Sequence, residues 1–218
     1  MLKNVFILVS LLFIHNSILA QSTIYTSAAS FLPLVAPGSY TETFTGNSGN
    51  FDNGLTFSFN GFTYTIDAGP GLEPIFRDGL IIGNTFDNEA FTFTFTSNNV
   101  TAIGGNFVIT DVSGNPLIAT ISITLSDGTN TTYTTNGELD EYRGFISPGP
   151  VITSLTLAAP GAANFNTVDN FTVGVSAVPE PATIVLSGMC LLVFFGYWYR
   201  RRHVSYAAAQ QEIIQTDV

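Results

Sequence analysis

The sequence predicts an all-β protein, an antiparallel β-sandwich of jelly-roll-like or Greek-key topology, followed by one C-terminal transmembrane helix. Three observations lead there. Apolar residues alternate with threonine and serine in several short runs between residues 55 and 175, which is the period of a strand with one buried face. Clusters of Gly, Pro, Asn and Asp separate those runs: "DNG", "AGPG", "SGNP", "SDGTN", "SPGP" and "APGA". No window of 21–177 carries a helical period, whereas 182–199 is apolar and uncharged.

Residues 1–20 come first. Lys3, the apolar stretch "VFILVSLLFI" and the small residue Ala20 have the anatomy of a secretory signal peptide cleaved after Ala20. A short membrane anchor is the other reading, but the apolar run is short for spanning. Residues 21–177 then supply one domain, long enough to bury a core without cross-links. The only cysteine, Cys190, lies outside it, so this exported domain has no disulfide despite an oxidising destination.

Within the domain, 21–40 has the weakest pattern and is expected as an edge strand or a leader. "LTFSFNGFTYTI" (55–66) predicts a hairpin, because Asn60-Gly61 suits a two-residue type I′ turn with positive φ at both positions. In that register Phe59 faces Phe62, Phe57 faces Tyr64 and Leu55 faces Ile66, with Thr56, Ser58, Thr63 and Thr65 on the opposite face. The same alternation places Phe91, Phe93 and Phe95 inward, then Ile121, Ile123 and Leu125. It continues through "VITSLTL" (151–157) and ends in "NFTVGV" (170–175), with Phe171, Val173 and Val175 inward.

The C-terminal segment has three parts. "VPEPAT" (178–183) is proline-rich and extended, since each proline removes a backbone donor and fixes φ. Residues 182–199 would span roughly 27 Å as a helix, and end in Tyr197, Trp198 and Tyr199 at headgroup level. Arg200, Arg201 and Arg202 then hold that end in the cytoplasm, with the domain outside and 203–218 as a cytoplasmic tail. A buried core helix is the alternative, which a triple-arginine stop disfavours.

These 25 residues resemble the PEP-CTERM sorting signal of exported bacterial proteins. The resemblance implies that Val178, Pro179, Glu180, Pro181, Ala182 and Thr183 form a motif read by an exosortase, a membrane-embedded transpeptidase-like protease. It also implies passage through the inner membrane to the cell surface or extracellular matrix, where exopolysaccharide is a candidate partner. Family members usually stop soon after the basic cluster, whereas this chain continues for 203–218. The stretches "AIGGNFVITDVSGNP", "TLSDGT" and "VDNFTVG" are loosely similar to the β-sandwich found ahead of such signals.

Composition excludes most chemistry. Residues 21–178 contain no His, Cys, Lys or Trp, so catalytic triads, thiol nucleophiles, Schiff-base lysines and ordinary zinc sites cannot be built. Thirteen carboxylates stand against Arg77 and Arg143, a net charge of −11, which repels nucleic acid. Carboxylate chemistry remains. A glycosidase would need two acids across a cleft, yet most acids here sit in turns beside Gly or Asn, where Asx chemistry accounts for them. Calcium is the metal that suits such oxygen donors, with Asp87 and Glu89 in "FDNEAF" and Asp169 in "VDNF" as candidate ligands. Solvated strand ends explain both stretches equally well. Carbohydrate-binding jelly rolls often hold a structural calcium with an acid near the last strand, which Asp169 resembles.

Threonine supplies 25 of the 157 residues in 21–177. Thr92, Thr94 and Thr96 would lie on one face about 6.8 Å apart. Such ranks are one way to present an ice-binding plane, and PEP-CTERM-type tails have been associated with ice-binding proteins. Threonine is also what any solvent-facing strand favours, and only alignment across neighbouring strands would make a plane. The sequence therefore reads as an exported, non-enzymatic surface or matrix protein. A carbohydrate-binding module with structural calcium, an ice-binding protein and a carboxylate-dependent glycosidase are its alternatives.

Overall fold

A computed structural model describes residues 21–46, 49–51, 54–69, 75–77, 81–177 and 188–199. The chain forms two units, Met1–Val178 and Pro179–Val218. Among the described residues of the first, fifteen strands follow in chain order: β1 (Thr23–Tyr25), β2 (Tyr40–Glu42), β3 (Gly49–Phe51), β4 (Leu55–Phe59), β5 (Phe62–Ala68), β6 (Ile75–Arg77), β7 (Ile82–Asn84), β8 (Phe91–Phe95), β9 (Ala102–Thr110), β10 (Pro116–Leu117), β11 (Thr120–Leu125), β12 (Asn130–Thr134), β13 (Tyr142–Ile146), β14 (Ser154–Ala158) and β15 (Phe165–Gly174). A short helix α1 (Ala28–Phe31) follows β1, and a 3₁₀ turn over Leu32–Leu34 continues it.

Two antiparallel sheets pack as a sandwich. The smaller runs β12-β11-β14-β8-β5-β4, and the larger β1-β13-β9-β15-β7-β6-β3, with β10 added to β9 and β2 to β15. The predicted hairpin forms in the expected register, Leu55 opposite Ile66, Phe57 opposite Tyr64 and Phe59 opposite Phe62. Asn60 and Gly61 take φ of 50° and 82°, as the turn type requires. Phe91, Phe93, Phe95, Ile121, Ile123, Leu155 and Leu157 line the inner face of the small sheet. They meet Ile103, Phe107, Ile109, Phe145, Val168, Phe171 and Val173 from the large one. Phe171 sits at the centre, its ring 4.5 Å from that of Phe93 and 5.3 Å from that of Tyr64.

β15 reaches that centre through a bulge. Asp169 pairs with Asn106 and Thr172 with Gly104, so Asn170 and Phe171 together oppose Gly105. Asn170 adopts φ 49°, and Gly105 leaves room for the displaced backbone: a Cβ there would lie 3.2 Å from the Asp169 carbonyl oxygen. The extra residue resets the alternation, which is why both Val168 and Phe171 point inward. Val175, expected inward, lies past the end of β15 and is 37% exposed.

The large sheet is also covered on its outer face. Ser27 caps α1, its Oγ accepting from the Ser30 amide at 3.2 Å. The helix lays Phe31 over β9 and β13 in a second cluster with Ala102, Tyr142 and Ile146. Glycine makes the slot: a Cβ on Gly144 would stand 2.5 Å from the Phe31 ring, and one on Gly104 2.9 Å. Residues 21–36 thus form a strap. It adds β1 to the edge of the large sheet, crosses the outer face, and ends in a bridge from Val35 to Ser176.

Candidate functional site

The C-terminal segment is the most informative. Val178, Pro179, Glu180, Pro181, Ala182 and Thr183, like Arg200, Arg201 and Arg202, lie outside the described residues. Residues 188–199 are helical, and Leu192, Phe194 and Tyr197 on this helix are 74%, 63% and 66% exposed within the unit. Among the described residues no helix is long and apolar enough to cross a membrane. The described helix is the later part of the apolar run 182–199, whose first residues are outside the description. The threshold of the motif is fixed on the domain side: the Ala177 amide donates to the Leu34 carbonyl at 2.8 Å, and the Ala36 amide to the Val175 carbonyl at 2.8 Å.

Of the residues singled out for calcium, Asp87 and Asp169 have their carboxylates engaged in local structure, and Glu89 contributes its backbone carbonyl. After β7, the Asp87 carboxylate accepts from the Ala163 amide at 2.8 Å and Asn88 Oδ1 from the Gly161 amide at 3.0 Å. The Glu89 carbonyl receives the side-chain amides of Asn84 and Asn166 at 3.1 and 3.0 Å. Loop 85–90 therefore clasps loop 160–164. Asn84 and Asn166 leave buried Oδ1 atoms without a partner among the described residues. Two neutral oxygens fall well short of the six to eight that calcium takes.

Asp169 lies six residues beyond Ala163, roughly 20 Å along an extended strand, so the two stretches do not converge. Its carboxylate accepts from the Asn170 amide and side chain at 2.6 and 2.7 Å, serving the bulge. Burial pushes its pKa up, and the bond from the Asn170 amide opposes that rise. Among the described residues no three His, Cys, Asp or Glu come together to hold a metal. Asp87, Glu89 and Asp169 thus do not come together as a calcium site among the described residues.

Other acids are likewise occupied. Asp111 binds the amides of Ser113 and Asn115 at 2.8 and 2.9 Å, closing the turn after β9. The Asn115 side chain, then its amide, hold the Asp111 carboxyl below the usual range. Asp127 is buried at the β11–β12 turn, and Glu141 pairs with Arg143 at 2.9 Å.

A cleft of about 250 Å³ opens beside Asn84, Thr85, Thr110, Asp111, Phe165 and Thr167. Thr110 and Thr167 are spent on each other at 2.8 Å. Nothing in the sequence marked this cleft, because its residues come from three strands far apart in the chain.

The outer face of the small sheet carries a pattern that sequence alone could not align. One row runs Asn130, Thr124, Thr156, Thr92 and Asp67 across five strands. The next runs Ser154, Thr94, Thr65 and Thr56 across four. Strand geometry spaces such hydroxyls about 4.8 Å across the sheet and about 6.8 Å along it. Neighbours bond to one another, as Ser58 to Thr63 at 2.9 Å and Ser122 to Thr132 at 2.9 Å.

Several solved structures match parts of this chain at low similarity. A family two carbohydrate esterase from Cellvibrio japonicus matches at 10% identity and TM-score 0.30, over 73% of this chain and 36% of the esterase. A family 29 carbohydrate-binding module complexed with cellulohexaose matches at 12% and 0.35, over 67% of this chain and 100% of the module. A β-1,3-glucan binding CBM6 from Bacillus halodurans matches at 14% and 0.28, over 63% and 95%. Likeness at this level says nothing about what the chain binds or catalyses. No curated protein matches the sequence. The family model for the PEP-CTERM protein-sorting motif does match, over residues 177–202, the segment where the proline-rich "VPEPAT", the apolar run and the arginine cluster occur in order. The chain is thus an exported protein that carries a C-terminal PEP-CTERM sorting motif.

Proposed function

We propose that this is a non-enzymatic β-sandwich protein destined for the cell surface or extracellular matrix, and that residues 178–202 are its removable address. The sorting motif at 177–202 carries the reading. On this account residues 1–20 direct export and are removed. The apolar run 182–199 then holds the chain in the inner membrane with the domain outside, and Arg200, Arg201 and Arg202 set the orientation. An exosortase-type protease reads Pro179, Glu180 and Pro181. Glu180 is the only charge between Asp169 and Arg200, so it is the polar handle of an otherwise uncharged peptide. The absence of His, Cys, Lys and Trp from 21–178 supports a non-catalytic domain, as does the engagement of Asp87, Asp111 and Asp169 in loops, turns and the bulge. The test follows a tag in 21–177 through fractions of the native host. Glu180→Ala is expected to leave export intact and trap a full-length membrane form. Normal release of that variant would remove the motif from the account.

One observation favours a second reading. The aligned hydroxyl rows on β11, β14, β8 and β5 are what an ice-binding plane requires, although solvent-facing threonines also explain each residue singly. Inhibition of ice recrystallisation by the exported protein, lost in Thr94→Lys, would support it. No inhibition by the wild type would dismiss it.

A further inference from the structure

We propose that the β11–β12 turn is a seat for the free α-ammonium of Gln21, created when the chain is cut after Ala20; this rests on the proposed removal of residues 1–20. Asp127, only 3% exposed, anchors the seat. Its Oδ2 accepts from the Ser22 amide at 3.0 Å and from Ser22 Oγ at 2.5 Å, and its Oδ1 from the Thr129 amide at 2.8 Å. Thr129 Oγ1 shares the Ser22 amide at 2.7 Å, and Gln21 Nε2 donates to the Gly128 carbonyl at 3.0 Å. These bonds fix the first two residues after the cut against a turn more than a hundred positions away.

Every donor to Asp127 is neutral, and among the described residues no cation pairs with it. A buried carboxylate without a counter-charge is costly. Adjacent backbone nitrogens lie within about 3.8 Å of each other, so the Gln21 nitrogen is within roughly 7 Å of Oδ2. While Ala20 is attached, that nitrogen is an uncharged amide. After cleavage it is an ammonium within that distance of Asp127, the one buried acid among the described residues and one with no partner of opposite sign among them.

The seat has a consequence at the other end of the domain. Residues 21–22 fasten to the small sheet, β1 adds to the large sheet, Phe31 fills the Gly104–Gly144 slot, and Leu34 and Ala36 hold 175–177. Removing the leader therefore tightens the strap that fixes the threshold of the sorting motif.

Lys3 is the only lysine in the chain, so the cut protein has a single primary amine, and acylation with acetic anhydride, followed at the N-terminal peptide after hydroxylamine has removed tyrosyl esters, reports on it alone. Intact mass and N-terminal sequencing of the exported protein establish the start. We expect a Gln21 start, and acylation at least tenfold slower in the folded protein than in denaturant. Asp127→Asn is expected to restore the rate. So is an Ala-Ala insertion ahead of Gln21, which keeps Asp127 and moves the amine away. A Gln21 start with equal rates folded and unfolded overturns the seat. A start elsewhere overturns it by removing the cleavage on which it rests. A pyroglutamate start overturns it too: there the amine has bonded to Cδ, the Cδ–Nε2 bond has broken and ammonia has left, so no charge remains to be seated.

Discussion

Phe171→Ala tests whether the two sheets close on a single aromatic centre. The Phe171 ring is fully buried, with centroids of Phe93, Tyr64, Phe107 and Phe95 at 4.5, 5.3, 6.2 and 6.3 Å. Truncating a buried phenylalanine costs about 3–5 kcal/mol. Four ring neighbours, each pair worth about 0.5–1.5 kcal/mol beyond area, place this site at the upper end, about 4–5 kcal/mol. A domain of this size loses about 2–4 °C in Tm per kcal/mol, so the fall is roughly 8–20 °C. Phe59→Ala is the matched control. That ring has the same chemistry but is 54% exposed at the hairpin tip, with Tyr40 at 5.0 Å, and its loss is expected to cost about 1 kcal/mol at most. The assay is thermal unfolding of residues 21–177, followed by circular dichroism. If Phe171→Ala melts no lower than Phe59→Ala, the central packing is wrong.

Gly144→Ala puts a Cβ 2.5 Å from the Phe31 ring; it is expected to cost about 1–3 kcal/mol by overpacking and to expose 21–36 to limited proteolysis, which an intact strap would resist. Asp87→Ala removes the bond from the Ala163 amide and is expected to cost about 1 kcal/mol, equally in calcium and in chelator; a loss confined to calcium would restore the metal. Burial raises the folded pKa of Asp169 above the unfolded value of about 3.9, so the stability it contributes is full below that value and is lost as pH rises through the folded pKa. Asp169→Asn is expected to flatten that part of the Tm profile, and an unchanged slope would contradict the assignment.

How much the sequence reveals depends on where each residue's constraint lies. The 55–66 hairpin was legible because turn chemistry and alternation are both local and agree. β9 was not: apart from half-buried Asn106 it is buried on both faces, because α1 and Phe31 cover Gly104 from outside while Ile103, Phe107 and Ile109 face the core. An alternation rule has nothing to detect in such a strand. Val175 was misplaced because β15 had already ended at Gly174. The bulge at Asn170 shifts the phase of β15 between Val168 and Phe171, so its two halves cannot be read as one repeat.

The candidate sites divide in the same way. The sorting signal is a linear text, and its three parts stand in order in the sequence. The threonine ranks were visible strand by strand, but their alignment into rows depends on registers between β11, β14, β8 and β5 that no local pattern encodes. The meeting of Ser22 with Asp127 spans 105 positions and left no trace in either segment. Acids flanked by Gly or Asn were ambiguous as ligands, and the structure assigns Asp87, Asp111 and Asp169 to loop, turn and bulge geometry.

The most direct test of the sorting account is the C-terminus of the mature protein. Intact mass spectrometry of the form released from wild-type cells should give a chain that ends within or just after residues 178–183 and lacks the apolar run, Arg200 to Arg202 and the tail. The same protein should remain full-length in the membrane of an exosortase-deficient strain. A full-length membrane form in both strains would contradict the account and leave an ordinary single-pass protein with an outward β-domain.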